Sequence, residues 1–320
     1  MKLYQAFLLS ILTVIVVSCK PNEDSKPPDF DDYWIQAVNQ LNESPINEEI
    51  IKDSIVNDKE WTLYKINSYN NVYIYAWVSK PLSQGKFPIK IRFSGMSKSR
   101  TLSDGIPNTW FLKEGNIINM LVDIRGQGLS SKQLNVTNYL TEGLSSKDTY
   151  IFKGAYLDAI RTVDFISTNS KSDGNIIVTG GGQGGSLSMV AAALNPKVTM
   201  CVIGFPFFSD IDRYDKKQWP MSVFMYYCKK SETDYFELID RLSYFDMLYF
   251  AEKIKVPIFV RANERDNITP IEGVKKFFSL IKSNEKEMYV EPCEGHGCSS
   301  NSKKANELEH LFIQANMLSS

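Results

Sequence analysis

Histidine is scarce in this chain: His296 and His310 are the two in 320 residues. Proton transfer through an imidazole therefore has two candidates, and His310 falls in a stretch of helical spacing near the carboxy terminus. The cysteines, 5 in all, include no C-x-x-C pair, so a structural zinc site is not expected and no metal is assigned. Long runs of one charge are missing too. Lys plus Arg total 36 against 37 Asp plus Glu, a net charge of −1, with no basic patch or basic helical face. Nucleic acid is accordingly not an expected partner. Beyond the first twenty residues or so, no hydrophobic run approaches the ~20 apolar residues that cross a bilayer.

What is present begins with an export signature. Lys2 supplies a positive n-region, and residues 7–17 are uncharged and mostly apolar, interrupted by Ser10 and Thr13. That run is short for a membrane span and laid out as a signal peptide. Val16-Val17-Ser18-Cys19 places small and apolar residues before a cysteine and resembles a bacterial lipobox. The resemblance implies lipidation of Cys19 and anchoring on a periplasmic or cell-surface face; ordinary signal-peptidase cleavage nearby is the alternative. Residues 20–28 are polar and proline-rich, suited to a flexible tether, and 29–320 form the remaining domain. Cys201, Cys228, Cys293 and Cys298 permit three pairings. An oxidising compartment admits a Cys293–Cys298 bridge, and free buried thiols suit the sequence equally.

Hydrophobic residues at 43% and charged residues at 23% describe a globular domain with a sizeable core. The 12% of aromatics goes mostly to that core, with Tyr and Trp also suited to a sugar-facing cleft. Residues 31–41 carry Trp34, Ile35, Val38 and Leu41 at helical spacing. Residues 61–66 and 72–78 read as paired strands around Tyr69-Asn70-Asn71, and 89–93 and 117–122 as buried parallel strands. A helix over 148–167 presents Tyr156, Ile160 and Val163 on one face. Strands at 175–179, 198–203, 258–261 and 287–290 alternate with helices at 186–194, 271–281 and 305–317. That alternation predicts an α/β domain, a mostly parallel sheet covered by helices on both faces.

The sharpest local feature is Val178-Thr179-Gly180-Gly181-Gly182-Gln183-Gly184-Gly185, where a buried strand turns directly into a helix. Two mechanisms need glycine there. A phosphate-cradling loop needs bare backbone at a helix amino terminus, and Gly180, Gly182 and Gly185 satisfy G-x-G-x-x-G. Against a dinucleotide site, the motif sits in mid-chain, and the acidic residue due about 20 positions on finds only Asp210, beyond Pro206. A nucleophile elbow needs small neighbours so that one strained residue projects between strand and helix.

The second reading meets a family. Gly180 to Gly185 resembles the G-G-S-Q-G-G elbow of carbohydrate esterase family 7, the acetyl xylan esterases and cephalosporin-C deacetylases. Asp123-Ile124-Arg125-Gly126-Gln127-Gly128 with Ser130-Ser131 resembles its D-x-R-G-Q-G-x-S-S. Similar too, in family order, are Asp29–Trp34, Tyr156–Arg161, Pro206–Asp210 and Leu242–Asp246. The resemblance implies an α/β-hydrolase fold with Ser, Asp and His in chain order and no cofactor. Gly182 stands at the serine position, Asp266 fits the acid and His296 the base. The oxyanion donors implied are the backbone N–H groups of Gln183 and of Met96, where the family usually has tyrosine. Ser186, four residues past Gly182, reads as a packed helix serine. Residues 235–242 and the loop after Ser131 look shorter than the family's, in regions that shape its substrate funnel and homo-oligomer contacts.

The implied partner is a small acetylated carbohydrate or ester, and the implied reaction is its deacetylation. Without a side chain at Gly182 to become the acyl carrier, the expectation is little or no turnover. The rival is a non-catalytic protein that binds acetylated glycans or a protein partner.

Overall fold

The structure is a computed structural model that describes residues 26–96, 105, 107 and 110–317. The export signal, Cys19 and the tether up to residue 25 lie outside the described residues. Lys26 to Pro28, which composition places in the tether, already lie on the domain. Pro27 is buried, its carbonyl accepts from Phe30 N–H at 3.0 Å, and Lys26 Nζ meets Asp31 Oδ2 at 2.7 Å.

Helix α1 (Phe30–Glu43) leads into an antiparallel run of β1 (Glu48–Val56), β2 (Lys59–Asn67) and β3 (Tyr73–Pro81). The chain continues through β4 (Phe87–Phe93), the single turn α2 (Trp110–Lys113), β5 (Ile118–Asp123), α3 (Ile151–Ser167) and β6 (Ser172–Gly181). Next come α4 (Gln183–Leu194), β7 (Met200–Gly204), α5 (Met221–Ser231), α6 (Tyr235–Ser243) and α7 (Met247–Ala251). It closes with β8 (Ile258–Arg265), α8 (Ile271–Leu280), β9 (Lys286–Glu294) and α9 (Lys303–Met317). Among the described residues the strands form one nine-stranded sheet, ordered β1-β2-β3-β5-β4-β6-β7-β8-β9. From β5 and β4 to β9 every neighbour is parallel.

Alternation along the strands sorts side chains onto two layers. Ile89, Ile91 and Phe93 of β4, Ile176 and Val178 of β6, and Ile258 and Val260 of β8 enter the main core with α1, α3, α4, α7 and α8. The opposite face is thinner. Ile177, Met200, Val202 and Phe259 meet Phe312 of α9, and Trp61, Leu63 and Trp77 meet Phe111 and Leu112 of α2.

Several elements depart from the sequence reading, which placed no helix where α2, α5, α6 and α7 lie. Strand β1 went unpredicted because its nine positions are nearly all exposed and show no apolar alternation. Helix α4 begins at Gln183 rather than 186, since the glycines that read as loop are already helical.

Beneath the sheet's carboxyl edge lies a buried ion pair. Arg125 Nε and Nη2 donate to Asp158 Oδ2 and Oδ1, both at 2.8 Å, and Arg125 N–H reaches Oδ2 at 3.0 Å. Ser68 Oγ donates to Oδ1, and the Asp158 side chain is wholly buried. The pair fixes the loop after β5 to α3, and with it Gln127. Removing one partner strands a charge in the interior. Arg125→Met is therefore expected to destabilise the fold by about 3–5 kcal/mol, read as a lower urea midpoint with unchanged slope.

Candidate functional site

Strand β6 ends and α4 begins on either side of one residue. Gly182 has φ 57° and ψ −124°, a conformation that costs a residue with a Cβ about 1–3 kcal/mol and glycine little. Backbone bonds hold it on both sides. Gly182 N–H donates to Gly204 O at 3.1 Å, and Gly182 O accepts from Phe207 N–H at 3.1 Å and Ser186 N–H at 3.2 Å. The next turn is tighter still: a Cβ at Gly184 would lie 2.1 Å from Phe93 O. Here, then, glycine lets the start of α4 press on the end of β4. Ser186 is buried and points away from the cleft, donating its hydroxyl to Phe207 O at 2.6 Å.

His296 stands over this elbow. A Cβ built at Gly182 would fall 2.9 Å from His296 Nε2, closer than real Cβ contacts. The ring's other nitrogen, Nδ1, lies 3.0 Å from Asp266 Oδ2 and 3.2 Å from Oδ1. With Nδ1 protonated toward that carboxylate, the Nε2 lone pair faces the elbow. Asp266 follows β8 and is deeply held. Oδ1 accepts from the N–H groups of Ile268 (2.9 Å) and Thr269 (3.0 Å), and Oδ2 from Asn263 Nδ2 and Thr269 Oγ1, both 3.0 Å. Burial pushes this carboxyl up, but the hydrogen bond and charge of His296 and the two amides outweigh it and hold it below 3.8.

A cavity of about 560 Å³ opens at the elbow, lined by Met96, Gly182, Gln183, Phe205, Trp219 and His296 among others. Gln183 is the first residue of α4, so its N–H has no acceptor within the helix and is free to point at a ligand. Met96, on the segment after β4, faces the same space. The structure thus brings together Gly182, Gln183, Met96, His296 and Asp266. A second cavity, about 540 Å³ between α6 and Lys26–Pro28, holds none of them. No group of three or more His, Cys, Asp or Glu placed to hold a metal occurs among the described residues.

Several contributors were not singled out from sequence. Phe205, with φ 36°, sets its ring edge-on to His296 at 4.8 Å between centroids. Thr269 and Asn263 surround Asp266, and Gln127 Nε2 donates to Gln183 Oε1 at 2.8 Å, orienting that buried side chain. Trp219, backed by Phe207 at 5.8 Å, forms an exposed aromatic wall. Proximity to Asp266 was the one available signal for Thr269; nothing in the pattern marks Phe205 or Trp219. The cysteine question is answered: Cys293 and Cys298 are bridged, while Cys201 and Cys228 are free and buried.

Comparison with known proteins gives a consistent result. Residues 17–312 match the family described as Acetyl xylan esterase (AXE1). The acetyl esterase Axe7A of Xylanibacter ruminicola is 28% identical over 301 residues, 90% of this chain and 67% of that protein. Acetyl xylan esterase 1 from Thermoanaerobacterium sp. JW/SL YS485 superposes with a TM-score of 0.80 at 25% identity, covering 91% of this chain and 94% of its own. An acetyl xylan esterase from Paenibacillus sp. R4 superposes with a TM-score of 0.79 at 22% identity, over 91% and 95%. The fold is that of the α/β-hydrolases.

A carboxyl depressed in the folded state stabilises it above the unfolded value, 3.8, and that contribution is lost as pH falls toward the folded value. Asp266→Asn should therefore lower stability by about 1–3 kcal/mol at neutral pH. Denaturant titrations should show the gap from the parent closing as the pH drops below 3.8.

Proposed function

The chain belongs to the acetyl xylan esterase family, and from that premise we propose that it binds acetylated xylo-oligosaccharides or similar small acetyl esters at the elbow cavity without acyl transfer. One observation carries this reading: the nucleophile position keeps its strained backbone and its imidazole, but has no side chain.

In a serine hydrolase the elbow hydroxyl attacks the ester carbonyl, histidine takes its proton, and two backbone N–H groups hold the developing oxyanion. Three of those four parts have counterparts here, and Asp266 stands behind the histidine. An ester carbonyl directed at Gln183 and Met96 N–H would sit above Gly182, with Nε2 beside it. No atom of residue 182 can attack, so no acyl-enzyme forms. His296 also leans into the volume that a serine side chain needs, since the built Cβ lies 2.9 Å from Nε2. A water activated by Nε2 must therefore approach from the cavity side, with Asp266 orienting the ring. Loss of the serine costs about six orders of magnitude in a comparable hydrolase, leaving roughly a thousandfold over water. Slow hydrolysis is the ceiling and binding the principal activity.

Lipidation of Cys19 is part of the same proposal, supported by the apolar run and the small residues before it. It places the cavity on an exported, membrane-tethered domain. Expressed in full, the protein should partition with membranes, and Cys19→Ala should move it to the soluble fraction; equal partitioning of both forms would refute the anchor.

Titration of the chain as it stands with an acetylated xylo-oligosaccharide should give saturable binding and no burst of acetate. Rapid turnover would overturn the reading. Gly182→Ser, assayed on a generic acetyl ester, should raise the rate by about a thousandfold or more. The same change should cost about 1–3 kcal/mol of stability, because serine must adopt a positive φ.

A further inference from the structure

We propose that the Cys293–Cys298 disulfide is a positioning element for His296, so that alignment of the imidazole with Asp266 depends on the bridge being oxidised. The backbone around His296 is otherwise loosely determined. It is flanked by Gly295 (φ 96°) and Gly297 (φ 76°), and nothing lies within 4 Å of where a Cβ on Gly295 would be. Glycine on both sides gives the turn the largest conformational freedom available to a chain. Few backbone bonds oppose it: Gly295 N–H to Arg265 O at 2.8 Å, Ser300 N–H to Gly297 O at 3.0 Å and a long Cys298 N–H to Gly295 O at 3.5 Å. With no side chain at 182, the ring lacks the partner that would hold Nε2.

The bridge closes this gap. It starts three residues before His296 and ends two after it, joining the end of β9 to the short 3-10 turn Cys298–Asn301 across a Cα separation of 6.2 Å. One buried side chain links both arms to the carboxylate. Asn263 Oδ1 accepts from Ser299 N–H at 3.3 Å and lies 3.9 Å from Cys293 Sγ, a contact only, because a disulfide sulfur has no proton to donate. Its Nδ2 donates to Asp266 Oδ2 at 3.0 Å. The turn that carries the imidazole and the acid that orients it thus share one scaffold through Asn263 and the sulfurs.

Cys293 and Cys298 are half-buried, within reach of a small reductant, whereas Cys201 and Cys228 are buried. A dithiol reductant would deliver two electrons and two protons to the sulfur–sulfur bond, yielding two thiols here and becoming a disulfide itself. The covalent link between the two arms is then gone, leaving the Ser299 N–H bond to Asn263 to hold the second arm, and His296 loses its fixed register over the elbow.

This inference rests on His296 and Asp266 being the surviving acid–base pair, and its test reads that pair without any ester. Only two histidines exist, and His310 is exposed on α9, so imidazole NMR signals are few and carry an internal control. In the oxidised protein, His296 should show a slowly exchanging Nδ1 proton and ring signals distinct from those of His310. Reduction with dithiothreitol, verified by two additional thiols after denaturation, should abolish the Nδ1 signal and bring the His296 ring signals to those of His310. Cys293→Ala with Cys298→Ala should do the same without reductant, His310 staying unchanged. In a Gly182→Ser background, the double alanine change should lower kcat about a hundredfold with KM unchanged. Persistence of the Nδ1 signal in both the reduced and the double-alanine protein would overturn the proposal. So would a matching change at His310, which would assign the bridge to the fold as a whole.

Discussion

The site depends on how closely α4 begins against the end of β4. The absence of a Cβ at Gly184 lets the first helical turn approach Phe93 O to a distance that no other residue permits. That contact sets the angle at which strand becomes helix and so forces residue 182 into φ 57° and ψ −124°. The same geometry leaves the Gln183 N–H without a helical acceptor, on a residue that lines the cleft. One steric constraint, deep in the sheet, thereby produces both the positive-φ elbow and, beside it, an N–H with no helical acceptor.

Around that elbow the electrostatics remain those of a hydrolase. Asp266 is buried, yet four protein donors and the imidazole keep it ionised. Desolvation alone would push it toward the neutral acid. The acid's O–H would donate to Nδ1 and leave the imidazole proton on Nε2, the wrong nitrogen for facing the elbow with a lone pair. The arrangement is thus a carboxylate–imidazole pair standing over a residue that has no side chain. Glycine relieves the elbow of its backbone strain, so the missing side chain and a gain in local stability go together at residue 182.

Much of this was legible in the chain. Alternation and the spacing of glycines located the parallel strands and the elbow, and the order of Gly182, Asp266 and His296 matched a hydrolase before any coordinates. The parts that escaped have a common physical cause. Phe205 reaches His296 because of a positive φ that no pattern encodes, and Trp219 lines the cavity from a segment distant in sequence. Asn263 serves Asp266 only because a strand ends and turns there. Pairing of Cys293 with Cys298 required knowing that the two Cα atoms close to 6.2 Å around the histidine turn. Contacts set by tertiary approach, rather than by local period, were the ones sequence could not supply.

The outermost strand, β1, raises a different matter. It is nine residues of open sheet edge, with Ile50 and Ile55 turned to solvent. Such an edge invites recruitment of a foreign strand and, through it, aggregation. Here Glu48, Glu49, Lys52 and Asp53 share the same stretch, and the pairing with β2 slips between Ile50 and Lys52. A slip of that kind bends an edge away from the flat geometry another chain would need, and charges penalise its docking. The sheet can therefore stop at β1 and meet solvent there, its edge unsuited to receiving a tenth strand from a neighbour.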